Sequence, residues 1–261
     1  MQLQKTNKKL IPYSDQLEEL VRQRTISLEN SNEKLLDENK ELDLYVYRAS
    51  HDLRGPLASL LGLAKIAQLE SKERIALEYF NRIEESTLNL ENILRKLLSV
   101  SKIKSHQPNR NILDLKEIYE ETIFSYKNFI TSSNIAVSFE FQESSKIFCD
   151  YYLLTTTLQN LIENAIYFRN SYHDFESKVK VTFRIQEGFQ IIEVWDNGIG
   201  IDAIYQNQIF EMFFRVSEKS KGNGLGLFIT KIATAKLGGE IFVESEPYAF
   251  SNFVIKIPIH A

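Results

Sequence analysis

Residues 190–200 read Gln-Ile-Ile-Glu-Val-Trp-Asp-Asn-Gly-Ile-Gly, and they set the character of the second half of the chain. Residues 190–195, rich in β-branched and aromatic side chains, predict a strand. The strand runs into Asp196, and the turn Asn197-Gly198-Ile199-Gly200 follows at once. Such a turn can hold a carboxylate against the edge of a base, where an exocyclic amine, as on adenine, is its natural partner. Asp-Asn-Gly is also a hairpin-turn sequence. Ile199 and Ile201 nevertheless carry apolar character past the turn, which a bare hairpin tip does not need.

Seven of the ten glycines fall between Gly198 and Gly239, the mark of a ligand site built from loops. Gly222-Asn-Gly224-Leu225-Gly226-Leu227 precedes a helix expected over 225–237. Glycines before a helix N-terminus present backbone N–H groups to phosphate. This loop follows no strand, which argues against a dinucleotide-binding fingerprint, and it lacks the Lys-Ser/Thr ending of a P-loop. Between the two glycine clusters lies Ile209-Phe-Glu-Met-Phe-Phe-Arg215, then a polar segment over 216–221. That segment reads as a mobile lid, with Arg215 in reach of a terminal phosphate.

Upstream, residues 135–141 alternate as a strand, and 179–185 form another. Asp150 precedes a helix that carries Asn160-Leu-Ile-Glu-Asn164. Residues four apart share a helix face, and amide oxygens are hard ligands suited to Mg²⁺ beside phosphates. Polar decoration of a surface helix is the plain alternative. A helix over 113–128 and strands over 240–245 and 250–258 complete a layered α/β domain, residues 113–261. The polar, proline-containing residues 106–112 read as a linker before it.

The first part of the chain is helical. After a tail over 1–14, residues 15–42 hold no Gly or Pro, and Val21, Leu28, Leu35, Leu42 and Ala49 recur every seven residues. This is half of a heptad seam: a parallel dimeric coiled coil, or one long solvated helix. Residues 43–105 predict two helices broken at 70–73, an antiparallel hairpin, and two such hairpins make a four-helix bundle. On the first helix, His51 is followed by Asp52, Arg54 and Pro56. Pro56 leaves the Asp52 carbonyl without its helix partner and favours a kink. Asp52 can orient the imidazole or take its proton, Arg54 offers positive charge to an arriving phosphate, and neutral imidazole is a nucleophile near pH 7.

Composition sets the outer bounds. Of 261 residues, 43% are hydrophobic and 25% charged, which excludes a disordered or membrane-embedded chain. A net charge of -4 disfavours nucleic acid as a partner. Cys149 is the only cysteine, so an intrachain disulfide and a cysteine zinc site are both excluded, in keeping with a reducing cytoplasm. The best apolar stretch, 57–64, is far short of the roughly 20 residues of a membrane helix. The chain is therefore expected in the cytoplasm, with a membrane reached only through a segment outside it.

Together these elements resemble the sensor histidine kinases of two-component systems. The run from His51 to Leu57 resembles the H box, and the run from Asn160 to Ala165 is similar to the N box. Residues 196–200, 209–215 and 222–227 resemble the G1, F and G2 boxes, in the family's order. The resemblance covers roughly residues 15–261. It implies a coiled coil leading into a dimeric four-helix bundle, followed by an α/β sandwich that binds ATP, the Bergerat fold. It implies that His51 attacks the γ-phosphorus of ATP, with Asp52 as base or orienter and Arg54 beside it. Asn160, Asn164, Asp196, Gly198, Gly200, Arg215, Gly222, Gly224, Leu225 and Gly226 would surround ATP, with Asn164 on Mg²⁺, Asp196 on adenine and Arg215 on the γ-phosphate. The phosphoryl group would pass to an aspartate of a response regulator receiver domain, and the kinase would be a homodimer.

Two positions depart from the family pattern. Gly55 stands four residues after the histidine, where Thr or Asn is frequent, which puts phosphatase activity in doubt. Tyr167 and Phe168 stand where the family often has Lys-Tyr, which removes a phosphate-side cation and leaves Arg169 or Lys221 to supply it. Related chaperones, topoisomerases and mismatch-repair proteins share the nucleotide fold but hydrolyse ATP with a Glu four residues before the metal-binding Asn. That position is Asn160 here, and Glu163, next to Asn164, is expected to point about 100° away around the helix. A non-catalytic scaffold is opposed by the intact His51, Asn164, Asp196 and glycine loop.

Overall fold

The computed structural model describes residues 21–25, 28, 31, 49, 52–170, 176–216 and 222–259. The chain divides into two compact units, Met1–His51 and Asp52–Ala261. In the first, residues 21–25, 28, 31 and 49 are helical and exposed. The remainder of the expected coiled coil, the tail and His51 lie outside the described residues.

Two helices open the second unit, α1 (52–70) and α2 (Arg74–Ser105), joined by residues 71–73. Their polar join falls where the charged break in the sequence places it. Gln68 Nε2 donates to Asn81 Oδ1 at 3.1 Å and to Glu84 Oε2 at 2.8 Å, which fixes the hairpin near its tip. Leu57, Ala64 and Thr87 are buried. Leu53, Leu60, Leu63 and Ile66 of α1 and Ile75, Tyr79 and Ile83 of α2 stay exposed. The apolar stripe of α2 is thus divided lengthwise. Its first half is uncovered, whereas Ile93, Leu97, Val100 and Ile103 pack into the core of the α/β domain.

That domain begins earlier than the sequence suggests. Residues Arg110–Asp114, expected in part as linker and in part as helix, form strand β1, antiparallel to β3 (Lys146–Asp150) with Asn111 opposite Cys149. The helix expected over 113–128 is two, α3 (Leu115–Ser125) and α4 (Lys127–Ser132). Asp114 ends the extended run and caps α3 by accepting from the Lys116 N–H.

The main sheet has the order β2-β4-β5-β7-β6, where β2 is Ile135–Phe141, β4 Ser177–Gln186, β5 Phe189–Asp196, β6 Glu240–Glu246 and β7 Phe250–Pro258. Only β2 and β4 are parallel. Strand alternation sends one row of side chains, Phe139-Val181-Val194-Phe253-Val243, across all five strands. Helices α5 (Tyr151–Tyr167) and α6 (Gly226–Lys236) bury this face with Leu154, Leu158, Leu161 and Ile229. The result is a helical layer on a sheet layer, the α/β sandwich expected.

Asp150 ties the hairpin to this domain. Its Oδ1 caps α5 by accepting from Leu153 N–H at 3.0 Å, and its Oδ2 takes Asn109 N–H at 2.8 Å and lies 2.9 Å from His106 Nε2. Burial alone would raise this carboxyl, but the Leu153 and Asn109 N–H groups and His106 outweigh it and hold it below its ordinary 3.8. A group depressed on folding stabilises above its ordinary value and loses that effect as pH falls through the lower folded one. Asp150→Asn should therefore cost on the order of 2–3 kcal/mol in urea unfolding at neutral pH. The gap to wild type should close as the pH falls below 3.8. An equal gap at every pH would contradict this origin.

Candidate active site

The position of Asp196 follows from strand period. Ile192, Val194 and Asp196 alternate onto the same covered face of β5, so the carboxylate ends the strand only 4% exposed, beneath the helical layer. Gly198 N–H donates to its Oδ1 at 2.9 Å. Burial dominates and pushes the carboxyl up to about 7, against that single hydrogen bond. The following loop is held on both sides. Ile199 N–H donates to Phe168 O at 3.0 Å, Tyr248 N–H to Ile199 O at 2.7 Å, and Ile201 N–H to Ser245 Oγ at 2.8 Å. Gly200 has φ +65°, and a Cβ there would collide with the Glu246 carbonyl, so this loop requires glycine. Loop tightness and the covered strand end together aim Asp196 inward.

At the other end, α5 and α6 meet. Asn160 donates its Nδ2 to Thr156 O at 2.8 Å, which leaves its Oδ1 facing α6. A Cβ on Gly226 would lie 3.2 Å from Asn160 Oδ1 and 3.7 Å from Asn164 Oδ1. The glycine that opens α6 therefore preserves the space beside both amide oxygens. Gly224, at φ +69°, accepts from Phe213 N–H at 3.0 Å and ties the glycine loop to the phenylalanine-rich segment.

Between these ends lies a cavity of about 450 Å³. Asn164, Asp196, Gly200, Arg215, Gly222, Gly224 and Gly226 line it, seven of the residues read from sequence. Gly198 and Leu225 are buried and do not line it, and Asn160 stands one turn back from Asn164 on α5. Asp52 and Arg54 are exposed on α1 and are not part of its wall. His51, Lys221 and the rest of the lid segment 217–221 lie outside the described residues.

Several lining residues carry no local signal in the sequence. Asn89, Asn92 and Lys96 come from α2, and Ser251, opposite Asp196 in the strand register, comes from β7. Lys96 Nζ lies 2.7 Å from Glu163 Oε2, each side chain 18% exposed. Glu163, expected about 100° around the helix from Asn164, lies at the cavity wall with its carboxylate on Lys96. Arg169 does the reverse of what was expected: its Nη1 caps α5 at Ile166 O, 3.3 Å away, and its Cζ lies 4.8 Å over the Phe129 ring.

The donor set bears on the metal. Among the described residues, no group of three or more His, Cys, Asp or Glu could hold an ion alone. What converges at Gly226 is a pair of neutral amide oxygens. Such a set fits an ion that takes its remaining ligands from phosphates and water, as Mg²⁺ does.

Comparison with known proteins agrees with this geometry. Residues 149–261 match the family model for histidine kinase-, DNA gyrase B- and HSP90-like ATPases, and residues 42–106 match the His Kinase A phospho-acceptor domain. The sensor-like histidine kinase SenX3 of Mycolicibacterium smegmatis is 28% identical over 222 residues, 82% of this chain and 56% of that one. Full-length ShkA, solved with AMPPNP, superposes with a TM-score of 0.66 at 21% identity, over 82% of this chain and 45% of that one. ThkA, solved with the response regulator TrrA, gives 0.58 at 24% identity, over 81% and 60%. The two structures share the fold. The chain spans between 30% and 56% of the length of its curated relatives Cph1 and SenX3.

The buried carboxylate has a measurable consequence. A carboxyl raised from 3.8 to about 7 on folding makes the folded state bind the extra proton between those values, so stability falls as pH rises through that window. Asp196→Asn keeps an acceptor for Gly198 N–H and removes the charge. It should raise the stability of the nucleotide-free protein by roughly 2–4 kcal/mol above pH 7, and by nothing near pH 4. Thermal melts across pH check this. A variant less stable than wild type at pH 8 would contradict the burial cost.

Proposed function

This chain belongs to the sensor histidine kinases of two-component systems, and on that premise we propose that it autophosphorylates His51 from ATP and passes the phosphoryl group to an aspartate of a response regulator receiver domain. One observation carries the reading: a single cavity has a buried carboxylate at one end and, at the other, paired asparagine oxygens beside a glycine-opened helix N-terminus. The first suits adenine and the second suits phosphates.

The roles follow from the atoms present. Asp196 accepts from the exocyclic amine of adenine, its carboxylate kept in orientation by Gly198 N–H. The backbone of Gly222, Gly224 and Gly226 approaches the phosphates, and the first N–H groups of α6 point toward them. Asn164, with Asn160 behind it, would hold Mg²⁺. When bound, that ion neutralises phosphate charge during transfer. Arg215 steadies the γ-phosphate. A neutral His51 imidazole nitrogen forms the N–P bond as the bond from the γ-phosphorus to the bridging oxygen breaks and ADP leaves. Asp52 orients the ring or takes its proton, and Arg54 faces the incoming phosphate. A dedicated hydrolase is disfavoured because position 160 is Asn, and Glu163 is engaged by Lys96.

The assembly we propose is a homodimer. Residues 43–105 form the phosphotransfer hairpin, residues 15–42 a coiled coil, and residues 113–261, with β1 added, the ATP-binding domain. The uncovered Leu53, Leu60, Leu63, Ile66, Tyr79 and Ile83 support a second hairpin completing a four-helix bundle. Among the described residues no helix is long and apolar enough to cross a membrane. The receiver-domain partner is supported by the kinase ThkA, solved with its regulator.

Gly55 bears on the reverse reaction. It is exposed on α1, with open space where a Cβ would stand, so Gly55→Thr is sterically free. Four residues after His51 in the sequence, it offers no side chain to aim water at an aspartyl phosphate. We propose a poor phosphatase. Gly55→Thr should accelerate phosphate release from the phosphorylated cognate regulator; equally rapid release by wild type and variant would show that another group places the water.

Incubation with γ-labelled ATP and Mg²⁺ tests the main reading. The label should be acid-labile and base-stable, absent in His51→Gln, and reduced to background in Asn164→Asp with the fold intact by circular dichroism. Light scattering at micromolar concentration should give a dimer. Full labelling of His51→Gln would falsify the assignment.

A further inference from the structure

The phosphate end of the cavity has a cation that the α/β domain does not supply. The family's N-box lysine is replaced by Tyr167, and Arg169 is turned onto Phe129 and the end of α5. Lys96, from the helical hairpin, lines the cavity instead. Its Nζ and Asn164 Oδ1 each lie 3.7 Å from the point where a Gly226 Cβ would stand. The ammonium is therefore at the opening of α6, beside the amide proposed for Mg²⁺.

We propose that Lys96 is a phosphate-binding residue of the nucleotide site, contributed by the hairpin, and that Glu163 holds it there until a triphosphate competes for it. This rests on the reading of ATP as substrate. The ion pair is 2.7 Å long and four-fifths buried, so it is screened far less than a surface pair. A carboxylate at this place would repel a triphosphate, and Lys96 offsets that charge. An ammonium has three donors on a flexible stem. It can keep one N–H on Glu163 and turn the others to a β- or γ-phosphate oxygen. Because Lys96 belongs to α2, that contact would bind a triphosphate-loaded domain to the helical hairpin that includes α1, and AMP, lacking those phosphates, would not.

Calorimetric titration of the full chain with ATP, ADP and AMP tests this, on wild type, Lys96→Arg, Lys96→Gln, Glu163→Gln and the double variant Lys96→Gln/Glu163→Gln. Lys96→Gln should weaken ATP on the order of tenfold while AMP changes by less than about twofold. Lys96→Arg should retain most of the affinity. Glu163→Gln should tighten ATP, because the competitor for the ammonium is gone. The double variant should stay weaker than wild type. Three results would overturn the proposal. They are unchanged ATP binding in Lys96→Gln, equal loss for ATP and AMP (a structural pair), and wild-type affinity in the double variant (a lysine that only neutralises Glu163). Failure of the wild type to bind ATP would overturn the nucleotide reading itself, and this assignment with it.

Discussion

The burial of one carboxylate organises the second half of this chain. Asp196 ends a strand on its covered face, where charge is costly and water is excluded. Among the described residues no cation relieves that cost: Gly198 N–H donates to the carboxylate, and desolvation prevails. Everything around Asp196 serves to keep it there. The loop after it is stitched to the end of α5 and to the β6–β7 turn, with no room for a side chain at Gly200. A group kept in an unfavourable place by a rigid surround is one whose best partner is a ligand.

Helix α2 couples this site to the phosphoacceptor hairpin. Its two halves bury different things. Residues from Ile93 to Ile103 enter the core of the α/β domain, while Ile75, Tyr79 and Ile83 remain uncovered with the apolar side chains of α1. One continuous helix is thus packed into the ATP-binding domain at one end and left uncovered at the other. His106 and Asp150 lock the junction, and Lys96 and Glu163 make a second tie higher on α2.

Local structure is legible in the sequence. Asp196, Asn164 and Gly226 were legible because a strand end, an i,i+4 pair and a glycine-opened helix are written in contiguous residues. The long helices and the last two strands were legible for the same reason. Strands β1 and β3 were not: each has five residues, too few to display alternation, and they pair across more than thirty residues. Lys96 was invisible because its partner lies 67 positions away. Arg169 misled because charge alone does not say whether a guanidinium faces a ligand or caps its own helix. Glu163 misled because helical angle fixes the Cβ direction but not the reach of a long side chain toward a counter-ion.

The way the helices begin carries the last step. Helices α3 and α5 start on aspartates whose carboxylates accept the first free N–H groups. Helix α6 starts on Leu225, with no side-chain cap, and the Leu225 N–H itself donates to Asn223 Oδ1, one residue short of the helix. Among the described residues the buried Asn223 Nδ2 also lacks a partner. An aspartate at the start of α6 would satisfy those N–H groups and place a fixed negative charge at the cavity end proposed for phosphates. Helices α2 and α4 also start without a side-chain cap, but α6 is the one whose first residue lines the cavity. With no carboxylate before them, the first N–H groups of α6 leave that end of the cavity suited to an anion, and an anion bound there would stabilise the folded chain.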